Sequence, residues 1–181
     1  MARVPLINAK DQVPEKHHAI VDGIVGSRGS LHGPFSVFLH SPEISERIAH
    51  LGTLVRFEGS LDFRVRVLAA MTVAREFEAM YVWGAQTGSA RRQNVPETTI
   101  VAIKENRSDG IPAEDLQIVD FTRQLLRKHR VEDGLAQAIL ARFGNDQFIQ
   151  LTGAIGYYSM LCMTVNACDL ETGQGAEVLK I

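Results

Sequence analysis

Apolar and polar positions alternate along this chain with the period of helices, and one stretch, residues 61–93, carries the clearest pattern. Phe63, Val67, Leu68, Met71 and Ala74 recur on one helical face, while Arg64, Arg66 and Arg75 keep charge at its edges. A second helix is expected to start between Glu76 and Ala79, run through Met80, Tyr81, Trp83 and Gln86, and end near Asn94, ahead of Pro96. Upstream, Pro14 opens a helix to about Val25 with Ile20, Val21 and Ile24 inward, stopped by GSRGS. The segment LHGPFSVFL sets Phe35, Phe38 and Leu39 at one side of a short helix. Ser41 as N-cap and Pro42 at the first helical position predict a helix to about Glu58, with Ile44, Ile48, Leu51 and Val55 as its buried stripe.

Downstream, Pro96 opens a helix to about Lys104, and Pro112 another with Leu116, Val119, Phe121, Leu125 and Leu126 on its apolar side. Residues 131–143 form a further helix, ended by Gly144 and Asn145. The last, 147–170, is apolar on nearly every side, which marks a helix buried in a core or at a subunit contact. Residues 1–13 read as an extended arm and 171–181 as a loose or docking tail. No strand-like alternation is sustained, so the fold class is all-α.

Composition narrows the function. A chain of 181 residues, taken as one domain over 1–181, buries a core without needing disulfides or metals. A net charge of -2 with no basic stripe offers nothing to nucleic acid or a membrane surface. The N-terminus lacks an uninterrupted apolar core and a small-residue cleavage site, and no run reaches about eighteen apolar residues, so the cytoplasm is the expected compartment. Cys162 and Cys168, six apart in an apolar segment, fit neither a CxxC pair nor a zinc site and read as buried, inert thiols. His17 and His18 point about 100° apart on a helix and have no third ligand near them in sequence, so they read as solvent-facing. No phosphate-cradling, nucleophile-elbow or zincin motif and no internal repeat occurs, and neither cofactor nor metal is expected.

The order ARE, FEAMYVWGAQ, ARRQNVPETTI, flanked by GPFSVFLHSPEI and IGYYSMLCMTVNA, resembles the carboxymuconolactone decarboxylase family and its alkylhydroperoxidase-D-like relatives over most of the chain. The resemblance implies a compact multi-helix alkylhydroperoxidase-D-like bundle that assembles as a trimer or hexamer. Gly153, Ala154, Gly156 and Ser159, which allow close approach on the last helix, agree with a homo-oligomer. Peroxidase members carry a Cys, a second Cys three residues on and a His four residues further; decarboxylase-like members often have Glu at the second Cys. The matching positions here are Ala79, Val82 and Gln86, and an acidic residue of the preceding helix matches Val67.

That substitution removes the family's thiol chemistry, which needs one thiolate to attack peroxide and another to resolve the sulfenic acid. Gln86 holds a polar group but exchanges no proton near neutral pH. The candidate catalytic groups are therefore Glu76, Glu78, Tyr81, Gln86 and His32, the last at a position where relatives often have Asn lining the pocket. Trp83, Phe35, Phe38 and Arg56 are the candidate substrate contacts. Each has a plainer role open to it: Tyr81 and Trp83 as packing, His32 as a loop histidine, Arg56 as a solvated helix end. Three functions follow. One is a divergent, lyase-type enzyme on a small carboxylated or lactone-type compound of aromatic degradation. Another is a catalytically silent ligand-binding or structural protein. The third, a peroxiredoxin-type hydroperoxide reductase, has the missing thiols against it.

Overall fold

At the centre lies a helix, α4 (Phe63–Glu76), in which every residue from 65 to 74 is buried. Asp62 caps it, its carboxylate accepting from the backbone N–H of Arg64 at 2.8 Å and of Val65 at 3.3 Å, two of the donors that a helix start leaves free. Ala69, Ala70 and Ala74 are fully enclosed, and their small size lets neighbouring helices close in. Those neighbours are α5 (Met80–Arg92), α7 (Ala113–Lys128) and α8 (Asp133–Cys168).

The computed structural model describes residues 2–172 and 176–179. The remaining helices are α1 (His18–Arg28), α2 (Phe35–Phe38), α3 (Pro42–Thr53) and α6 (Glu97–Lys104), and no strand occurs among the described residues. The fold is all-α, as the periodicity predicts. α1 ends on Gly29 in the left-handed region, and α8 is broken at Gly144 (φ 72°, ψ 175°), where the sequence places a stop. α3 runs straight into a π-helical turn, Leu54–Glu58, closed by the Gly59 N–H donating to the Leu54 carbonyl at 2.8 Å.

Several expectations need correction. Of the stripe assigned to α3, Ile48 is buried, but Ile44 and Leu51 are 55% and 42% exposed, because α3 packs mainly on α1, α2 and the π turn and has no helix over its outer side. His17 and His18 are half-buried rather than solvent-facing, and His18 Nε2 meets the Val13 carbonyl at 2.9 Å. The N-terminal arm is pinned: Ile7 and Val13 are buried, the Ile7 N–H donates to the Ser36 carbonyl at 2.8 Å, and Lys10–Gln12 forms a 3-10 turn.

Residues 176–179 of the tail are docked, not loose. Leu179 is buried, and Glu177 accepts from Arg91 at 2.8 Å and Lys104 at 3.2 Å. Residues 173–175 and 180–181, also assigned to the tail, lie outside the described residues, as does Met1 of the arm. α8 is long and apolar enough to cross a membrane by length and composition, yet 50% of its most apolar window is buried in the bundle. Its inner residues include Leu151, Ala154, Ile155 and Tyr158, while Ile149 and Met163 face outward.

The enclosure of α4 leaves no room for a larger side chain at its small positions. Ala70→Leu should lower stability by about 1–3 kcal/mol through overpacking. A fall in the urea midpoint at unchanged slope checks this; an unchanged midpoint would show that the interface yields freely.

Candidate functional site

The end of α1, the loop before α2, the π turn, α5 and α8 surround a cavity of about 230 Å³. Its polar wall consists of Arg28, Ser30, His32, Arg56, Tyr81, Gln86, Tyr157 and Tyr158, and Phe35, Val82 and Leu161 supply apolar surface. Among the described residues no Asp or Glu lines it.

Arg28 is held from three directions. Its Nη2 donates to the Ala49 carbonyl at 2.8 Å, its Nη1 to Ser27 Oγ at 2.5 Å, and the guanidinium lies 4.3 Å from the Phe35 ring centre. Burial lowers its pKa, the Tyr157 hydroxyl offsets part of this, and the neighbouring Arg56 adds to the lowering. A guanidinium nevertheless keeps its proton in proteins. The Tyr157 hydroxyl and Arg28 Nη2 nest against Gly52, where a Cβ would lie 2.3 Å and 2.7 Å from them, so a larger residue there would have to push these two groups aside.

Tyr158 is held in the same way from the core side. The buried Arg66 donates from Nη1 to the Tyr158 hydroxyl oxygen at 2.7 Å, and its guanidinium carbon lies 3.9 Å from the Phe63 ring centre. Because a guanidinium only donates, the Tyr158 oxygen accepts from Arg66 and that phenol keeps its own O–H to give, while the Tyr157 hydroxyl lies beside Arg28. Burial raises the pKa of Tyr157 and of Tyr81, so both stay neutral donors. Gln86 Oε1 is enclosed without a partner, an acceptor left over in a wall rich in donors.

Five of the residues singled out in the sequence therefore meet on this wall: His32, Phe35, Arg56, Tyr81 and Gln86. Phe38 packs edge-on against Phe35 at 5.8 Å and does not line the cavity. Trp83 is fully enclosed in the core. Neither acid reaches the cavity. The last turn of α4 directs Glu76 to Arg127 of α7, whose Nε donates to it at 2.6 Å. Glu78 is exposed, in the left-handed region (φ 52°), and 3.5 Å from Arg75. A carboxylate as the buried acid or base is thus corrected for both positions.

At the positions where the sequence resemblance sets thiols, Val82 is buried on the wall and Ala79 is fully enclosed; Val67 is enclosed too. Cys162 and Cys168 line neither this cavity nor the one beside it. Burial pushes the Cys162 thiol up to about 12, while Cys168 is half-buried. Arg28, Tyr157 and Tyr158 escaped the sequence reading; the adjacent tyrosines inside an apolar helix, which must find hydrogen-bond partners, were the signal that could have found them.

A second cavity, about 950 Å³, lies outside the first, between residues 2–6 and Asn8 of the arm, Gly33, Gly84 and Leu170. His32, Tyr81 and Ala85 line both.

No protein-family model and no curated protein matches the chain. Solved structures do. An uncharacterised peroxidase-related protein from Ralstonia eutropha JMP134, described as an alkylhydroperoxidase AhpD core, is 15% identical with a TM-score of 0.75, over 96% of this chain and 93% of that one. A cysteine-to-alanine variant of the debrominase Bmp8, in complex with 2,3,4-tribromopyrrole, is 16% identical with a TM-score of 0.72, over 96% and 95%. The chain has the AhpD-like fold, and at these identities the fold is what is shared.

A thiol with a pKa near 12 is almost wholly protonated at pH 8 and nucleophilically silent. In the native protein a thiol-disulfide reagent at pH 8 should therefore spare Cys162, which reacts only on unfolding. Native-state labelling located at Cys162 by peptide mass would contradict its burial.

Proposed function

We propose that the chain is an AhpD-fold enzyme that acts on a small carboxylated or lactone-type compound in the inner cavity, by moving protons and not by thiol chemistry. The observation that carries this reading is a cavity with two guanidiniums, Arg28 and Arg56, on its wall and no acid to neutralise them. A bound carboxylate relieves the repulsion between the two cations, and charge-assisted hydrogen bonds to it are about twice as strong as neutral ones. Phe35 and Leu161 offer apolar faces to a ring or an unsaturated body, and Gln86 Oε1 accepts from a hydroxyl or N–H of the ligand. His32 is the only imidazole on the wall, the side-chain type that both takes and gives a proton near neutral pH. The debrominase neighbour was solved with a single small ring bound, which supports a ligand of that size.

The second reading is a binding protein without turnover. It is favoured by Gln86, an amide at the position where the resemblance sets the proton-handling imidazole, and by the exposure of His32. Hydroperoxide reduction has no thiol on the cavity wall to support it. The proposal extends to a cytoplasmic homo-oligomer, a trimer or hexamer. On α8, Ile149 and Met163 are 67% and 53% exposed, with Gly153 and Gly156 open to solvent between them.

Two measurements test this. Trp83 is the only tryptophan and lies one helical turn from Gln86, so its fluorescence should report titration with aromatic monocarboxylates and not with the matching amides. Arg28→Gln and Arg56→Gln should each weaken binding about tenfold or more, the scale of one charge-assisted hydrogen bond. His32→Gln should bind as before and lose turnover; if no acid is turned over by the wild type, the silent binder is the correct reading. For the assembly, light scattering should return three or six chain masses, and a monomer refutes it.

A further inference from the structure

We propose that Tyr81 is the partition between the inner and outer cavities and sets the length of acid that the inner one accepts; the inference rests on the reading of the inner cavity as a carboxylate site. Three side chains line both spaces: His32, Tyr81 and Ala85. Ala85 offers only a methyl group, and His32 is exposed in the loop before α2. Tyr81 alone combines bulk with a fixed seat. A Cβ built on Gly33 would lie 2.3 Å from the Tyr81 hydroxyl and 2.8 Å from its Cε1, so the ring edge rests on bare backbone that exists only because residue 33 is glycine, at φ +67°. α5 thus brings the ring to one side of the opening and the turn before α2 receives it on the other.

The spaces on either side of this ring differ in character. Inward lie the guanidiniums and phenols, in about 230 Å³. Outward lie about 950 Å³ bordered by Val4, Pro5, Leu6, Leu170 and Ala176, with Arg3 and Glu171 as the charged residues on that wall. A carboxylate anchored at Arg28 and Arg56 would direct any apolar extension toward Tyr81, and the ring stops it there. The native enzyme is therefore selective for single-ring or similarly short acids. With the ring removed, the two cavities join into one site with a polar head chamber and an apolar tail chamber.

The test compares benzoate with octanoate as ligands of wild type, Tyr81→Ala, Tyr81→Leu and Tyr81→Phe, each first checked for a native helical spectrum and a cooperative melt. Wild type should bind benzoate and discriminate against octanoate. Tyr81→Ala should gain about tenfold or more in octanoate affinity, the effect of burying roughly two further methylenes. Tyr81→Leu should gain less, and Tyr81→Phe should keep the wild-type preference, because bulk and not the hydroxyl makes the partition. Leucine removes less volume than alanine while still taking away the ring, so it carries the comparison if the alanine variant unfolds. If wild type binds benzoate but octanoate equally well, or if the alanine and leucine variants keep its preference, the partition is refuted and the carboxylate site stands. If wild type binds neither acid and Arg28→Gln changes nothing, both fall together.

Discussion

The enclosure of α4 is the constraint on which the rest depends. A helix buried through residues 65–74 cannot shift without opening contacts to α5, α7 and α8 at once, so these helices are fixed relative to one another through it. Two of them, α5 and α8, bear Tyr81, Gln86, Tyr157 and Tyr158, and the positions of those side chains are set by α4 although none belongs to it. The coupling is also polar. Arg66 is the buried cation of α4, and the partner it finds is the Tyr158 hydroxyl of α8, so satisfying a charge in the core orients a phenol of the cavity wall.

That arrangement repeats around the cavity and explains its charge. Arg66 fixes Tyr158, and Arg28 and Tyr157 lie together in the space that Gly52 leaves. Arg66 consumes a lone pair of the Tyr158 phenol and leaves its hydrogen free, which turns that part of the wall toward donation. Exposed ion pairs elsewhere, such as Arg91 with Glu97 or Arg107 with Asp109, sit in water and contribute little. At the cavity the guanidiniums are half-buried and so less screened, and no carboxylate of the described residues lines the wall beside them. An anion entering there meets donors already in place, at little reorganisation cost.

How far the sequence could lead follows from where each signal lies. Helix existence was legible because period, proline starts and glycine stops are local: Pro42, Pro96 and Gly144 fall where the backbone turns in or out of helix. The apolar stripe of α3 misled at Ile44 and Leu51, since periodicity marks a face that can be covered and not the element that covers it. Glu76 and Glu78 were drawn into the site by adjacency to a motif; one turn of helix and one left-handed residue send them to Arg127 and to solvent. Arg28, Arg56 and Tyr157 are separated by much of the chain, and only the packing of α1 and the π turn on α8 gathers them. No local pattern encodes that encounter.

The apolar side chains at residues 79 and 82 are intelligible in the same terms. A cysteine beside guanidiniums becomes a thiolate more readily, because the positive field favours its charged form. With valine at residue 82 and alanine at residue 79, the field has no nucleophile of the protein's own to activate. It acts only on what enters the cavity. A neutral peroxide gains little from such a field, whereas a carboxylate gains the full Coulombic attraction and the donors of two phenols. A wall that combines Arg28 and Arg56 with Val82 has the positive field but no thiol for it to act on, and it is this combination, neither half alone, on which the proposed carboxylate reading rests.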